Sequence, residues 1–179
     1  MDHVPVEEYL AAEEQSDIRH EYLGGVIHAM SGATRRHNGV ALNLALALRQ
    51  HLPGGHCRVY MSDVRVNLAW QEGQYFYYPD LVVTCEPGDN HPQLVRHPVL
   101  LIEVLSDSTR RVDQREKLFA YRTIESLQEY VLVEPERPDI TIFRRAADWA
   151  GVKCAGEEAV VSLTSVGLEL PLARVYEGA

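Results

Sequence analysis

Two strand-like runs in this chain each carry a carboxylate where a core residue belongs. "YYPDLVV" at 77 to 83 holds Asp80, and "LLIEVLS" at 100 to 106 holds Glu103. An ionised carboxylate taken into an apolar interior without a partner costs several kcal/mol or takes up a proton, so the fold must supply each with a cation, hydrogen bonds or a metal. Side chains alternate along a strand, so Asp80 shares a face with Tyr78 and Val82, and Glu103 with Leu101 and Leu105. Successive runs are often neighbours in one sheet, which would bring both acids to the same sheet end. Two carboxylates that close repel, and a hard divalent cation relieves the conflict. Mg²⁺ needs few protein oxygens, keeps several waters and works on phosphates. Zinc is not indicated: the eight histidines are scattered, and "HPQLVRHP", with His91 and His97, lacks zinc-ligand spacing.

The rest of the chain reads as a mixed α/β fold. "VPVEEYLAAEEQSD" predicts a short amphipathic helix with Val6, Tyr9 and Leu10 on one side, and "HEYLGGVIHAM" a hairpin turning at Gly24 and Gly25. "TRRHNGVALNLALALRQHL" alternates leucines like a strand, but its length, its alanines and its lack of β-branched residues predict a largely buried helix. Three strands are expected next: "CRVYMSDVRVNL", "QYFYYPDLVVTC" and, after a Pro/Gly/Asn-rich loop, "HPVLLIEVLS", with "AWQEGQ" as a hairpin connection. "SDSTRRVDQREKLFAYRTI" predicts a capped polar helix with Val112, Leu118 and Tyr121 in its apolar stripe. "EYVLVEP", "DITIFRRA" and a β-rich tail complete a single domain, 1–179, around one sheet.

At 179 residues and 46% hydrophobic composition the chain suffices for one domain with a real core. A formal charge of -9 argues against a general nucleic-acid coating protein but not against a local basic groove. Lysine is scarce, with only Lys117 and Lys153. Cys57, Cys85 and Cys154 are odd in number and in no CxxC arrangement, which suits a reducing compartment. With no basic-then-apolar leader and no membrane-length apolar run, a cytoplasmic protein without membrane contact is expected.

"YPD", "IEVLS" and the helix with "DQREKLFAY" resemble the PD-(D/E)XK nuclease superfamily. More closely, "EYLGGVIHAM", "CRVYMSDVRV", "YYPDLVV", "PVLLIEVLSDSTRRVDQREKLFAYRTIESLQEYVLVE" and "GLELPLARVYEG" are similar to the Uma-type restriction-endonuclease family. The resemblance implies a restriction-endonuclease-like core, a mixed central β-sheet flanked by helices, with extra C-terminal β strands. It implies a Mg²⁺-dependent endonuclease acting on DNA, with Mn²⁺ able to substitute and Asp80, Glu103 and the main-chain carbonyl of Val104 as metal ligands. The superfamily lysine normally stands two residues after the glutamate, where this chain has Leu105; the family's substitute is a helical lysine, matching Lys117. Glu21 matches a further acidic position. Homodimerisation follows by analogy with enzymes that cut two strands.

Each residue also has a plainer explanation. Asp80 suits a turn acid after proline. Glu103 could pair with Arg65 or Arg58, and Lys117 with Asp113 as an i,i+4 pair worth only about 0.2 to 0.5 kcal/mol. Glu21 could pair with Arg19. Asp63 could support the site or sit in a surface ion pair, and His37, in the first turn of its helix, could support the site or be solvated. Tyr78 and Tyr121 suit a cleft or a core. Ser106, Ser108 and Thr109 suit helix capping better than nucleophilic catalysis, because no histidine stands nearby. Arg110, Arg111 and Arg115 form either a phosphate-contacting patch or a solvated helix face. Two other functions stay open: a nuclease-fold binding or regulatory module with little catalysis, and a hydrolase of small phosphodiesters.

Overall fold

A computed structural model describes residues 3–30, 32–107 and 110–179. Strands β8 (Pro98–Val104) and β9 (Glu129–Glu134) form its centre, and they are parallel. The helical segment that connects them therefore crosses over one face of the sheet. Around them lie β6 (Leu81–Thr84), β3 (Arg58–Met61), β10 (Asp139–Arg144) and β11 (Gly151–Ala155), giving a six-stranded mixed sheet in the order β11-β10-β9-β8-β6-β3. Alternation sorts the side chains of its central strands. Leu81, Val83, Leu100, Ile102, Val104, Val131 and Val133 face helix α2 (Arg35–His51), whereas Val82, Leu101, Tyr130 and Leu132 face the other way, against Ala120 and Tyr121. Glu103 falls on the second face, in line with Leu101 and Leu105.

The expectation of one sheet is corrected. β1 (His20–Leu23), β2 (Val26–Ala29), β4 (Arg65–Trp70), β5 (Gly73–Tyr77) and β7 (Leu94–Val95) form a second sheet, in the order β2-β1-β5-β4-β7. β12 (Val160–Leu163) and β13 (Leu168–Pro171) pair separately near the C-terminus. The cause lies at two breaks in the expected strands. Between β3 and β4 the chain turns at Ser62, whose φ is 58°. Between β5 and β6 it bends at Pro79 and Asp80, where proline offers no N–H to a ladder. The Ser62 N–H donates to the Asp80 carbonyl at 3.1 Å, so the two sheet-switching points are tied together. At the far end, Trp70 pairs with Gly73 across Gln71 and Glu72, both at positive φ, which is the turn that matches hairpin twist.

The first helix, α1, runs Val6–Glu13, and the hairpin turns at Gly24 and Gly25 as expected. In α2 the buried stripe is Val40, Ala41, Leu44, Ala45 and Leu48, while Leu42 and Leu46 are more than half exposed. The helix is thus buried along one face only, and the alternation of its leucines has no structural counterpart. The crossover helix opens with a π-helical segment, Val112–Lys117, and continues as α3, Leu118–Tyr121. Val112 and Leu118 are only partly buried; the inner face is Asp113, Lys117, Ala120 and Tyr121, so the expected apolar stripe is largely polar. The capping reading of Ser108 and Thr109 lies outside the described residues. A short helix α4, Leu172–Val175, packs beside α2.

Cys57 and Cys85 form a disulfide, with Cα atoms 3.9 Å apart. One step beyond the Arg58↔Thr84 pair, the antiparallel register sets them opposite each other. This corrects the expectation of unpaired thiols and removes the cysteine argument for a reducing compartment. Among the described residues no helix is long and apolar enough to cross a membrane.

Glu129, buried at the start of β9, locks the C-terminal strands to the central sheet. Its carboxylate accepts from Ser165 N and Oγ, Thr164 N and Oγ1, and Arg144 Nε. Burial alone would raise its pKa; the bonds from Ser165, Arg144 and Thr164 outweigh that and hold it below the usual glutamate value. A depressed carboxylate stabilises the fold above its unfolded pKa of about 4.3, and that contribution disappears as pH falls through the folded value. Glu129→Gln is expected to lower the unfolding free energy at pH 7 by about 2 to 3 kcal/mol. Denaturant titrations should show the gap to wild type closing below pH 4; an equal gap at every pH would mean the charge has no such role.

Candidate active site

The site grows from the break between β5 and β6. Leu81 of β6 lies opposite Ile102 of β8, so Asp80, one residue earlier, continues the register toward Glu103. Asp80 Oδ2 accepts from Val104 N at 2.7 Å and lies 3.3 Å from Nε2 of His37. His37 reaches this point from the first turn of α2, where its own N–H bonds the Thr34 Oγ1 cap at 3.1 Å. Burial would lower the imidazole pKa, but the hydrogen bond and charge of Asp80, with help from the Val104 backbone, raise it above the ordinary histidine value.

Lys117 points inward from the last π-helical position and is almost fully buried. Its Nζ lies 3.0 Å from Glu103 Oε1, 3.0 Å from Glu21 Oε1 and 3.1 Å from Asp113 Oδ1. The contact with Asp113 is an ion pair without hydrogen-bond geometry. The phenol of Tyr121 donates to Glu103 Oε1 at 3.1 Å, and the Tyr77 ring lies 5.4 Å from the ammonium. Tyr130 donates to the carbonyl of Asp113 at 2.9 Å, fixing the helix above β9. A π-helical turn at such a place is in keeping with the frequent occurrence of these turns at functional sites.

Electrostatics make this a strained cluster. Burial opposes the charge on Lys117, yet the attraction of Glu103, then Glu21 and Asp113, raises its pKa well above the usual lysine value, so it stays protonated. Burial is also the largest influence on Glu103; the ammonium opposes it, but Asp113, Asp80 and Glu21 reinforce it, and the carboxyl is pushed well above the ordinary range. Three carboxylates, Glu21, Glu103 and Asp113, thus surround one ammonium, and Asp80 stands beside them against His37; with all four ionised the group would carry three more negative than positive charges, an excess that the raised pKa of Glu103 and a protonated His37 each reduce. Such an excess suits a hard cation. Asp80 and Glu103, with the Val104 backbone beside them, could hold one, since Mg²⁺ is commonly bound by one or two carboxylates plus waters. Among the described residues no three His, Cys, Asp or Glu side chains are already gathered as a metal cage.

The structure thus brings Asp80, Glu103, Val104, Lys117, Glu21 and His37 into one neighbourhood and leaves Asp63 outside it. Asp63 is exposed and pairs with Arg19 at 3.3 Å, the surface ion pair that was one of its two readings rather than support for the site; the same pairing takes Arg19 away from Glu21. Arg65 bonds Gln93 Oε1, and Arg58 bonds the carbonyls of Glu86 and Pro87, so neither is the partner of Glu103. Tyr78 bonds Glu13 Oε1 through its hydroxyl, while its N–H reaches Glu21 Oε1 at 3.4 Å. Arg110 makes a two-pronged pair with Glu134, at 2.6 and 3.0 Å. In sequence Asp113 is visible only as the i,i+4 partner of Lys117, and Tyr121 as cleft or core; here both are part of the buried cluster. Their spacing, Asp113, Lys117, Tyr121 at i, i+4 and i+8, was the available signal: three polar groups on one helix face.

This arrangement, acids at the broken end of a central sheet and an amine from the crossover helix, defines a restriction-endonuclease-like α/β protein. The chain belongs to the Uma2 family, whose model matches residues 6–173 and is described as "Putative restriction endonuclease". Two relatives from Synechocystis sp. carry no assigned activity. "Uncharacterized protein slr1290" is 33% identical over 175 residues, covering 96% of this chain and 90% of its own. "Uncharacterized protein sll1609" is 32% identical over 162 residues, with coverage of 88% and 90%. Among solved structures, a protein from Anabaena variabilis described as a "putative nuclease belonging to DUF820" superposes with a TM-score of 0.79 over 97% of both chains. At 16% identity that likeness bears on the fold.

Replacing Lys117 by methionine leaves the carboxylates facing one another in a buried space. Removing one partner of a buried ion pair typically costs about 3 to 5 kcal/mol, so Lys117→Met is expected to be destabilised by that order at pH 7 in the absence of divalent cations. A carboxylate with a raised folded pKa stabilises the fold most below its unfolded pKa and loses that contribution as pH rises. The variant should therefore regain stability as pH falls from 7 toward 5. Thermal melts across that range check this, and a variant as stable as wild type at pH 7 would show that the ammonium does not balance these acids.

Proposed function

We propose that this protein is a metal-dependent endonuclease that hydrolyses phosphodiester bonds of DNA, with Mg²⁺ as cofactor and Mn²⁺ able to replace it. The observation that carries the reading is the convergence of Lys117, from the crossover helix, on Glu103 at the strand end where Asp80 also lies. Leu105 occupies the usual lysine position, and the amine reaches the same glutamate from the crossover helix that covers this face of the sheet. Membership of the Uma2 family supports the nuclease class.

In this reading Asp80, Glu103 and the Val104 carbonyl hold the cation. When bound, it would polarise a phosphate oxygen and lower the pKa of an attacking water. Lys117 is the catalytic amine: its charge and movable donors orient that water and offset charge developing on the phosphate. Glu21 and Asp113 keep the ammonium protonated and aimed. Tyr121 fixes Glu103 through its hydrogen bond, and His37 fixes Asp80. The proton for the leaving oxygen comes from solvent.

Supercoiled plasmid with Mg²⁺ or Mn²⁺ provides the test. Wild type should nick it, with nicking abolished by chelator; Asp80→Ala and Glu103→Gln should each lose at least about a hundredfold in rate, and Lys117→Ala a comparable amount. Nicking that persists equally in all variants contradicts the assignment. Retention of plasmid binding without cleavage in wild type would support a nuclease-fold binding module instead, and cleavage of a dinucleotide but never of polymer a small-phosphodiester hydrolase.

A further inference from the structure

Outside the acid cluster, the opposite face of the same crossover helix borders an open hollow of about 770 Å³. Three aromatic rings line it: Phe119 from α3, Trp70 from the end of β4, and Trp149 from the turn after β10. Phe119 is 54% exposed, an unusual position for a phenylalanine on a helix face that packing leaves to solvent. Trp149 adopts a positive φ of 59°, a genuine outlier for a bulky residue. Its backbone is held there by a bond from Trp149 N to the Arg144 carbonyl, and the Arg145 guanidinium lies 5.2 Å from its ring.

The charges around the hollow are matched. Arg115, Arg122, Glu116 and Asp148 balance in number along its wall, and among the described residues only Arg122 and Asp148 of these pair, 3.8 Å apart. A hollow with balanced charges, an aromatic lining and acceptors and donors on its rim suits a flat, uncharged heterocycle better than a phosphate. Immediately beside it, sharing Arg115 as a common wall, lies a second hollow of about 420 Å³ lined by Arg110, Arg111, Gln114 and Asp107. Among the described residues no ion pair engages Arg111 or Arg115, so two arginines stand free on this face of a protein whose formal charge is -9.

From this juxtaposition, and taking the nucleic-acid reading above as its basis, we propose a binding site for an unpaired nucleotide of the DNA strand. Its base stacks on the exposed Phe119 and the partly buried Trp70, with the buried Trp149 as the floor beneath them, while Arg111 and Arg115 hold adjoining phosphates. Stacking on aromatic rings is tolerant of sequence because every base has a π-face, and arginine beside the stack supplies backbone attraction. Glu116 and Asp148 can accept from the exocyclic amino groups that cytosine, adenine and guanine carry and thymine lacks. The protein would then engage DNA that is single-stranded or locally opened in preference to a closed duplex.

Trp70 and Trp149 are the only tryptophans in the chain, so intrinsic fluorescence reads this hollow directly. The experiment uses the full chain in EDTA, where no cleavage proceeds, titrated with a single-stranded DNA of about twelve nucleotides, with an abasic strand of equal length, and with the closed duplex. The base-bearing strand should quench tryptophan emission and bind at least tenfold more tightly than the abasic strand, with the duplex also weaker. Phe119→Ala should bring the base-bearing strand down to the abasic level and Phe119→Tyr should restore it. Arg111→Ala with Arg115→Ala should weaken both strands alike and flatten the salt dependence. Equal binding and equal quenching by the two strands would overturn the proposal, as would an unchanged affinity in a folded Phe119→Ala protein. Failure of the nuclease reading looks different: quenching persists in EDTA while plasmid stays intact with Mg²⁺. Plasmid cleavage without base-dependent quenching counts against this site alone.

Discussion

One ammonium buried among carboxylates holds the interior of this protein together. Lys117 reaches Glu21 on β1 of the five-stranded sheet, Glu103 on β8 of the six-stranded sheet, and Asp113 on its own helix. Both sheets and the crossover segment are therefore joined through a single charge. An isolated ion in such a place would be expelled or neutralised; here the ammonium and the acids make each other tolerable, while the excess of acids leaves the cluster short of positive charge. That shortfall is the physical link between the fold and the chemistry proposed for it.

The same geometry explains why the acids stand where they do. The chain passes from the larger sheet to the smaller and back, and both passages occur at one level, tied by the bond from Ser62 to the Asp80 carbonyl. A strand that stops pairing at Pro79 exposes a side chain at the sheet end, and that side chain is Asp80. Glu103 lies on the neighbouring strand, on the face the crossover helix covers. Had β5 and β6 been one continuous strand, Asp80 would have been one more residue in a ladder.

Much of this was legible in the sequence. The two interrupted apolar runs pointed to Asp80 and Glu103, whereas Lys117 was legible only through the resemblance to the Uma-type family, since its spacing from Asp113 alone reads as an ordinary i,i+4 pair. Helix α2, the Gly24–Gly25 hairpin and the central strands followed from length, turn residues and periodicity. Pairings between distant segments were not legible: the split into two sheets depends on Ser62 and Pro79 acting together, and the opposition of Cys57 and Cys85 depends on a register that spacing along the chain does not express. Asp63 misled because strand alternation relates it to Arg65, whereas the turn at Ser62 swings it toward solvent and Arg19. The polar inner face of the crossover helix defeated the expectation of an apolar stripe, since buried charge looks the same in a sequence as solvated charge.

The central claim is that the acid excess around Lys117 is completed by a divalent ion at the sheet end. Crystals soaked in Mn²⁺ and measured at a wavelength where manganese scatters anomalously test it most directly. The account predicts one strong anomalous peak between the carboxylates of Asp80 and Glu103, with the Lys117 amine close by. A map featureless at that position, or a peak held by other side chains elsewhere on the surface, would contradict it.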